Sequence, residues 1–162
     1  MPDSRSAPRY LRGDATSPQA SGPKIIAHVC NNRGGWGKGF VLALSRRWSA
    51  PERDYRAWHR GRSANDFALG AVRLVRVLPD VHVANMVAQH GVRRGSGGPP
   101  IRYEALATCL GRLADHALEL GATVHMPRIG CGLAGGRWEH VLPLIREHLL
   151  ERGVSVTVYD VD

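Results

Sequence analysis

A chain of 162 residues with 43% hydrophobic and 22% charged side chains is long enough to bury one core unaided, and it holds no apolar run able to span a bilayer. Its three cysteines, Cys30, Cys109 and Cys131, are widely spaced with no C-x-x-C pair, which argues against a disulfide framework or a zinc site and points to a reducing, cytoplasmic setting. The net charge of +8 rests on twenty arginines against two lysines, Lys24 and Lys38, a surface that attracts polyanions and phosphate-bearing ligands and permits nucleic acid as a partner.

Residues 1–8 are rich in Ser and Pro, carry no apolar signal-peptide core, and are expected to form a disordered tail before a single domain over 9–162. Tyr10-Leu11-Arg12 fits a short strand, and residues 15–23 a loop. Ile25 to Cys30 is a compact apolar run, as for a strand buried on both faces. A glycine-rich turn follows from Arg33 to Gly39, then a helix from Phe40 to Trp48, and Pro51 opens a second helix. Two β-rich runs, Ala71 to Leu78 and Val81 to Ala88, are separated by Pro79-Asp80. Arg93 to Pro100 reads as a flexible loop. Leu106, Cys109, Leu110, Leu113, Ala117 and Leu120 recur at helical spacing, with Gly121 as the stop. A strand over 123–126, a second glycine-rich turn from Ile129 to Gly136, a helix over 137–152 and a strand from Val154 to Tyr159 complete the chain. Alternating strands and helices predict an α/β sheet covered on both faces.

Both glycine-rich turns lie where a strand gives way to a helix, the place where backbone N–H groups and a helix N-terminus receive an anion. Two familiar phosphate loops are excluded. Gly37-Lys38 is followed by Gly39-Phe40 rather than by Ser or Thr, and Gly35-x-Gly37-x-Gly39 lacks G-x-G-x-x-G spacing.

Arg12-Gly13-Asp14-Ala15-Thr16, His28-Val29-Cys30-Asn31 leading to Gly37-Lys38-Gly39-Phe40, and Met126-Pro127-Arg128-Ile129-Gly130-Cys131-Gly132-Leu133 followed by Trp138-Glu139 together resemble a macrodomain. The resemblance runs from Tyr10 to Val161 and is strongest to the terminal ADP-ribose protein glycohydrolases and DNA ADP-ribosyl glycohydrolase antitoxins, with ADP-ribose 1''-phosphate phosphatases more distant. It implies a three-layer α/β/α fold around a mixed, mostly parallel sheet of about six strands. It also implies ADP-ribose as ligand, ADP-ribosylated protein or DNA as partner, and a bacterial-type hydrolase acting in de-ADP-ribosylation and DNA repair. Asp14 would accept from the adenine amino group beside Ala15, with Tyr159 and Val161 flanking the base. Gly37, Lys38, Gly39 and Phe40 would line one side of the diphosphate, and Arg128, Gly130, Cys131, Gly132 and Leu133 the other. Trp36 and Trp138 are packing residues, Trp36 being the nearer to ligand.

Cleavage at the anomeric carbon calls for a carboxylate or a nucleophile. Where those glycohydrolases carry a lysine and an aspartate, this chain has Gln89 and Ala134. The reading adopted is hydrolysis by a water that Asn31 and Gln89 orient, with the bound diphosphate as base. A phosphatase and a non-catalytic reader stay open. His28, His82 and His125 fall within strands as structural residues, whereas His90 adjoins Gln89 at a strand end. Glu139 suits a helix start, and Cys131, near another, is a candidate for a lowered pKa. Arg93, Arg94 and Arg102 could meet DNA phosphates, but no base-reading motif is present. No metal or cofactor is expected, and the protein is read as a monomer.

Overall fold

A computed structural model of the chain describes residues 7–92 and 98–161. Residues 1–6 of the expected tail, and Arg93 and Arg94 with the three residues after them, lie outside the described residues. Six strands, β1 (Arg9–Arg12), β2 (Lys24–Asn31), β3 (Val72–Leu78), β4 (Val81–Gln89), β5 (Thr123–Met126) and β6 (Val156–Asp160), form one sheet in the order β1-β6-β5-β2-β4-β3. Every neighbouring pair is parallel except β3 and β4, which the short Pro79-Asp80 connection joins as an antiparallel hairpin.

Side chains alternate across a strand, and here both faces are buried. Ile25 and Ala27 of β2, with Ala84, Met86 and Ala88 of β4, face one core. Ile26 and Cys30, with Val81, Val83 and Val87, face the other. The first core is closed by α3 (Tyr103–Leu120) and α4 (Trp138–His148), which contribute Leu106, Leu110, Leu113, Val141 and Ile145. The second is closed by α1 (Phe40–Arg47) and α2 (Ala50–Arg60) through Val41, Leu44, Tyr55 and Trp58. The result is the three-layer α/β/α architecture with a mixed, mostly parallel sheet.

Element ends differ from the sequence reading in ways that matter. The helix expected over 137–152 stops at His148, and a separate 3-10 turn covers Leu150–Arg152. Its last carbonyls turn to a chain reversal, with Gly153 donating to Leu150 and Val154 to Leu149, both at 3.0 Å. β6 accordingly begins at Val156, where its pairing with Val124 starts. β2 and β4 each run one residue further than Cys30 and Ala88. Cys30 pairs with Val87 but Asn31 pairs with Gln89, so a bulge at Ala88 brings Asn31 and Gln89 level at the edge of the sheet.

Two histidines lie inside these cores, His28 and His125, each 2% exposed. Burial pushes both down to about 4 from 6.5; the hydrogen bond to Asn85 opposes this for His28, and the charge of Lys24 adds to it for His125. The unfolded chain therefore takes up protons near pH 6.5 that the native state refuses until about 4. Stability should be level above pH 6.5 and fall between pH 6.5 and 4, by at most about 3 kcal/mol per histidine. Urea titrations across that window test this, and His125→Gln should roughly halve the slope.

Candidate functional site

β2 and β5 lie side by side and parallel, yet the chain leaves them in opposite directions. From β2 it passes through α1 and α2 to the β4–β3 edge; from β5 it passes through α4 to β6. This is a topological switch point, where the loops beyond the strand ends part and leave a crevice. The loop after β2 is the first glycine cluster and the loop after β5 is the second. They approach across the crevice, for a Cβ added at Gly39 would sit 3.3 Å from Leu133 Cδ1.

The first loop is held from beneath. Asn31 Oδ1 accepts from the backbone N–H of Arg33 (2.8 Å) and Gly35 (3.1 Å), while its Nδ2 donates to the Gly35 carbonyl at 2.8 Å. From α2, the Tyr55 hydroxyl donates to the Asn31 carbonyl at 2.6 Å and accepts from the Gly34 N–H at 3.1 Å. Arg56 Nη1 donates to the Gly34 carbonyl at 2.9 Å. Gly34 has φ +82°, and a Cβ there would lie 2.6 Å from the His59 ring, so this position requires glycine. Trp36 Nε1 ties the loop to Ser45 at 2.7 Å, and Ser45 in turn donates to Glu52 at 3.0 Å.

At the other end, Asp14 Oδ1 accepts from both the backbone N–H (2.8 Å) and the hydroxyl (2.7 Å) of Thr16, and Arg47 Nε donates to that hydroxyl at 3.0 Å. Burial alone would raise the Asp14 carboxyl, but the Thr16 hydrogen bonds and the charges of Arg47 and Arg46 outweigh it and hold the group below its ordinary value. Arg128 makes a bidentate pair with Asp160, Nε to Oδ1 at 2.6 Å and Nη2 to Oδ2 at 2.9 Å. Its guanidinium stands 5.2 Å from the Tyr10 ring centre and 5.0 Å from that of Trp138.

A deep cavity of about 640 Å³ lies between the loops. Asn31 and Gln89 border it together with Gly37, Lys38 and Gly39 on one wall and Gly130 to Leu133 on the other. A shallower depression of about 480 Å³ is bordered by Asp14, Ala15, Tyr159 and Val161. Phe40, Pro127 and Arg128 border both, so the two form one groove. The structure thus gathers every site residue named from the sequence along this groove. His28, Trp36, Val92 and Ile129 also line the deep part, and Arg46 and Asp160 the shallow part. Asp160 adjoins Tyr159 in a recognised strand and was within reach of the sequence; Arg46 depends on which face of α1 turns to the groove.

Several residues have other duties. The Nδ1 of His90 receives the Asn32 amide at 3.0 Å, and His90 does not border the groove. Arg102 Nη1 turns back onto the carbonyls of Pro99, Pro100 and Ile101. Glu139 pairs with Arg137 at 3.2 Å in the first turn of α4. Cys131 corrects the expectation of a lowered pKa, because burial pushes its thiol up and the charge of Arg128 only partly opposes that.

No protein-family model matches the sequence. A solved macrodomain protein from Streptomyces coelicolor is 62% identical, with a TM-score of 0.85, over 94% of this chain and 97% of that one. The chain belongs to the macrodomain family. This macrodomain is also 34% identical, over 95% of its length, to the Danio rerio chromodomain-helicase-DNA-binding protein 1-like, of which it spans only 16%. The human ADP-ribose glycohydrolase OARD1 is 41% identical over 58 residues, 35% of this chain and 38% of that protein.

Tyr55→Phe should remove one of the two links between α2 and the first loop, leaving that from Arg56 to the Gly34 carbonyl. It would leave the Gly34 N–H and the Asn31 carbonyl short of a partner, at a cost of about 1–2 kcal/mol. Hydrogen exchange should quicken at Gly34 and Gly35 while α3 keeps its protection; unchanged exchange in the loop would refute the clamp.

Proposed function

We propose that this macrodomain binds ADP-ribose along the groove and hydrolytically removes mono-ADP-ribose from modified macromolecules, at protein acidic residues or DNA bases. One observation carries the reading: two glycine loops at a switch point enclose a continuous groove with a carboxylate at its shallow end and two amide side chains at its deep end. Asp14 has spent Oδ1 on Thr16, which leaves Oδ2 to accept from the adenine amino group. The diphosphate lies between the backbone N–H groups of Gly37 to Gly39 and those of Gly130 to Leu133, with Lys38 supplying positive charge. The distal ribose then enters the deep cavity. The name of the human relative, an ADP-ribose glycohydrolase, agrees with this assignment.

The amides divide the work at the anomeric carbon. Asn31 Oδ1 is committed to the loop, so Asn31 offers one remaining Nδ2 hydrogen to a ribose hydroxyl. Gln89 spends one Nε2 hydrogen on the Gly91 carbonyl at 3.0 Å, and its Oε1 orients the attacking water. The water oxygen bonds to the anomeric carbon as the bond to the leaving oxygen or nitrogen breaks, and the water's proton passes to the diphosphate. No Asp or Glu borders the deep cavity among the described residues, which is why the base is assigned to the substrate. The same observation favours a second reading, a binding module that recognises ADP-ribose without cleaving it.

The charge of +8 suits a substrate carried on DNA and a role in repair. A cytoplasmic monomer is the working assignment. Among the described residues, no helix is long and apolar enough to cross a membrane.

Gly37 has nothing within 4 Å of an added Cβ and no positive φ, so Gly37→Leu should fold normally. It should bind ADP-ribose at least a hundredfold more weakly by calorimetry; unchanged affinity would place the diphosphate elsewhere. The activity itself is tested by mass spectrometry on ADP-ribosylated DNA, glutamate-ADP-ribosylated protein and ADP-ribose 1''-phosphate. Free ADP-ribose from either macromolecule is the expected product. Release from the phosphate ester alone would indicate a phosphatase, and binding without release a reader.

A further inference from the structure

The order of strand ends across the sheet sets the order of groups along the groove. The strands run β1, β6, β5, β2, and Asp14 follows β1, Asp160 ends β6, Arg128 follows β5 and the first glycine loop follows β2. Asp14 and Asp160 border the shallow depression, Arg128 borders both, and the glycine loop borders the deep cavity. Arg12 of β1 pairs with Asp160, and the Gly13 N–H donates to the Asp160 carbonyl at 2.9 Å. Asp160 therefore stands one strand spacing, about 4.8 Å, inward from the Asp14 end. The proposed ADP-ribose reading, on which this inference rests, puts adenine at Asp14 and the diphosphate between the glycine loops. The part of the ligand that passes Asp160 and Arg128 is then the adenosine ribose.

Exposed ion pairs are as a rule loosely held and add little to stability, yet this one is fixed at several points. The pairing is bidentate, and the Arg128 guanidinium rests over the rings of Tyr10 and Trp138. Those rings are themselves tied by a hydrogen bond from Trp138 Nε1 to the Tyr10 hydroxyl at 3.1 Å. Both side chains of the pair are nevertheless 40% exposed, so the Asp160 carboxylate is open to a ligand in the depression that it borders. The hydrogen bonds from Arg128 hold this carboxyl below its ordinary value, and it is ionised at neutral pH. An ionised carboxylate has about four acceptor sites and no proton to give; Arg128 takes two, which leaves about two for hydroxyl donors. We propose that Asp160, positioned by Arg128, accepts the 2'- and 3'-hydroxyls of the adenosine ribose and makes the groove selective for ADP-ribose over its 2'-phosphate. In dinucleotide-binding folds a carboxylate likewise receives a ribose 2'-hydroxyl, and an arginine accommodates a 2'-phosphate. Here the arginine is present but is engaged by the carboxylate.

Calorimetry with ADP-ribose and with ADP-ribose 2'-phosphate tests this on the unaltered protein, Asp160→Asn and Arg128→Ala. The unaltered protein should prefer ADP-ribose by at least about tenfold, because a 2'-phosphate meets a like charge. Asp160→Asn should bind ADP-ribose about three- to tenfold more weakly. It should bind the 2'-phosphate more tightly than the unaltered protein does, since Arg128 is released to it. Arg128→Ala leaves the carboxylate uncompensated and should weaken the 2'-phosphate further. A pair with a merely structural role would shift both ligands alike in both variants, so an unchanged preference in Asp160→Asn overturns the proposal. Equal affinity of the unaltered protein for the two ligands also overturns it, while leaving the ADP-ribose reading intact, and this arm needs no variant to fold. If the unaltered protein binds neither ligand, the reading beneath fails and the proposal falls with it.

Discussion

The parallel pairing of β2 with β5 is the constraint on which the rest of the molecule depends. Lys24, Ile25 and Ile26 pair with Thr123, Val124 and His125, which sets the two strands in register over three residues. Parallel pairing delivers both strand ends to the same edge of the sheet, and the opposite exits of the chain part the loops that follow. Had the two strands been antiparallel, one glycine cluster would have emerged at each end of the sheet. No groove could then have formed between them, whatever residues the loops contained.

That edge is stiffened by polar groups inside an otherwise apolar layer. Tyr55 reaches up from α2 to Asn31 and Gly34, and His28 with Asn85 sits lower on the same side of the sheet. Under the shallow depression, His125 lies between Thr123 (2.8 Å) and the Tyr159 hydroxyl (2.7 Å). Buried networks of this kind are tolerated when their members are paired, and they then fix one arrangement of the groups they touch. The loops are glycine-rich, yet they are anchored, and the anchoring comes from the helix layer as much as from the strands.

The fold was largely legible in the sequence because its strands are buried on both faces. The run from Ile25 to Cys30 needs no partner to be recognised, and neither does the spacing of Leu106, Leu110 and Leu113 in α3. The glycine clusters were legible for the same reason, since they interrupt apolar runs at strand ends. What could not be read was anything set by a second chain segment. The bulge that levels Asn31 with Gln89 exists only in the pairing of β2 with β4. Tyr55 lies in the helix that Pro51 opens, and helical spacing does not say what its hydroxyl touches. The tie between Arg128 and Asp160 joins residues 32 positions apart, and that between His28 and Asn85 joins residues 57 apart.

The sharing of Phe40, Pro127 and Arg128 between the two depressions has a consequence for ligand size. A molecule that fills both is held at two points by one frame, so seating either end raises the effective concentration of the other in its own depression. Fragments that reach only one depression forgo that gain, which can amount to about two to four powers of ten in avidity. The groove therefore acts as a gauge of length as well as of chemistry. For the proposed ligand, such a gauge would favour ADP-ribose over the shorter adenine nucleotides of the cell, which present the same base and the same phosphates.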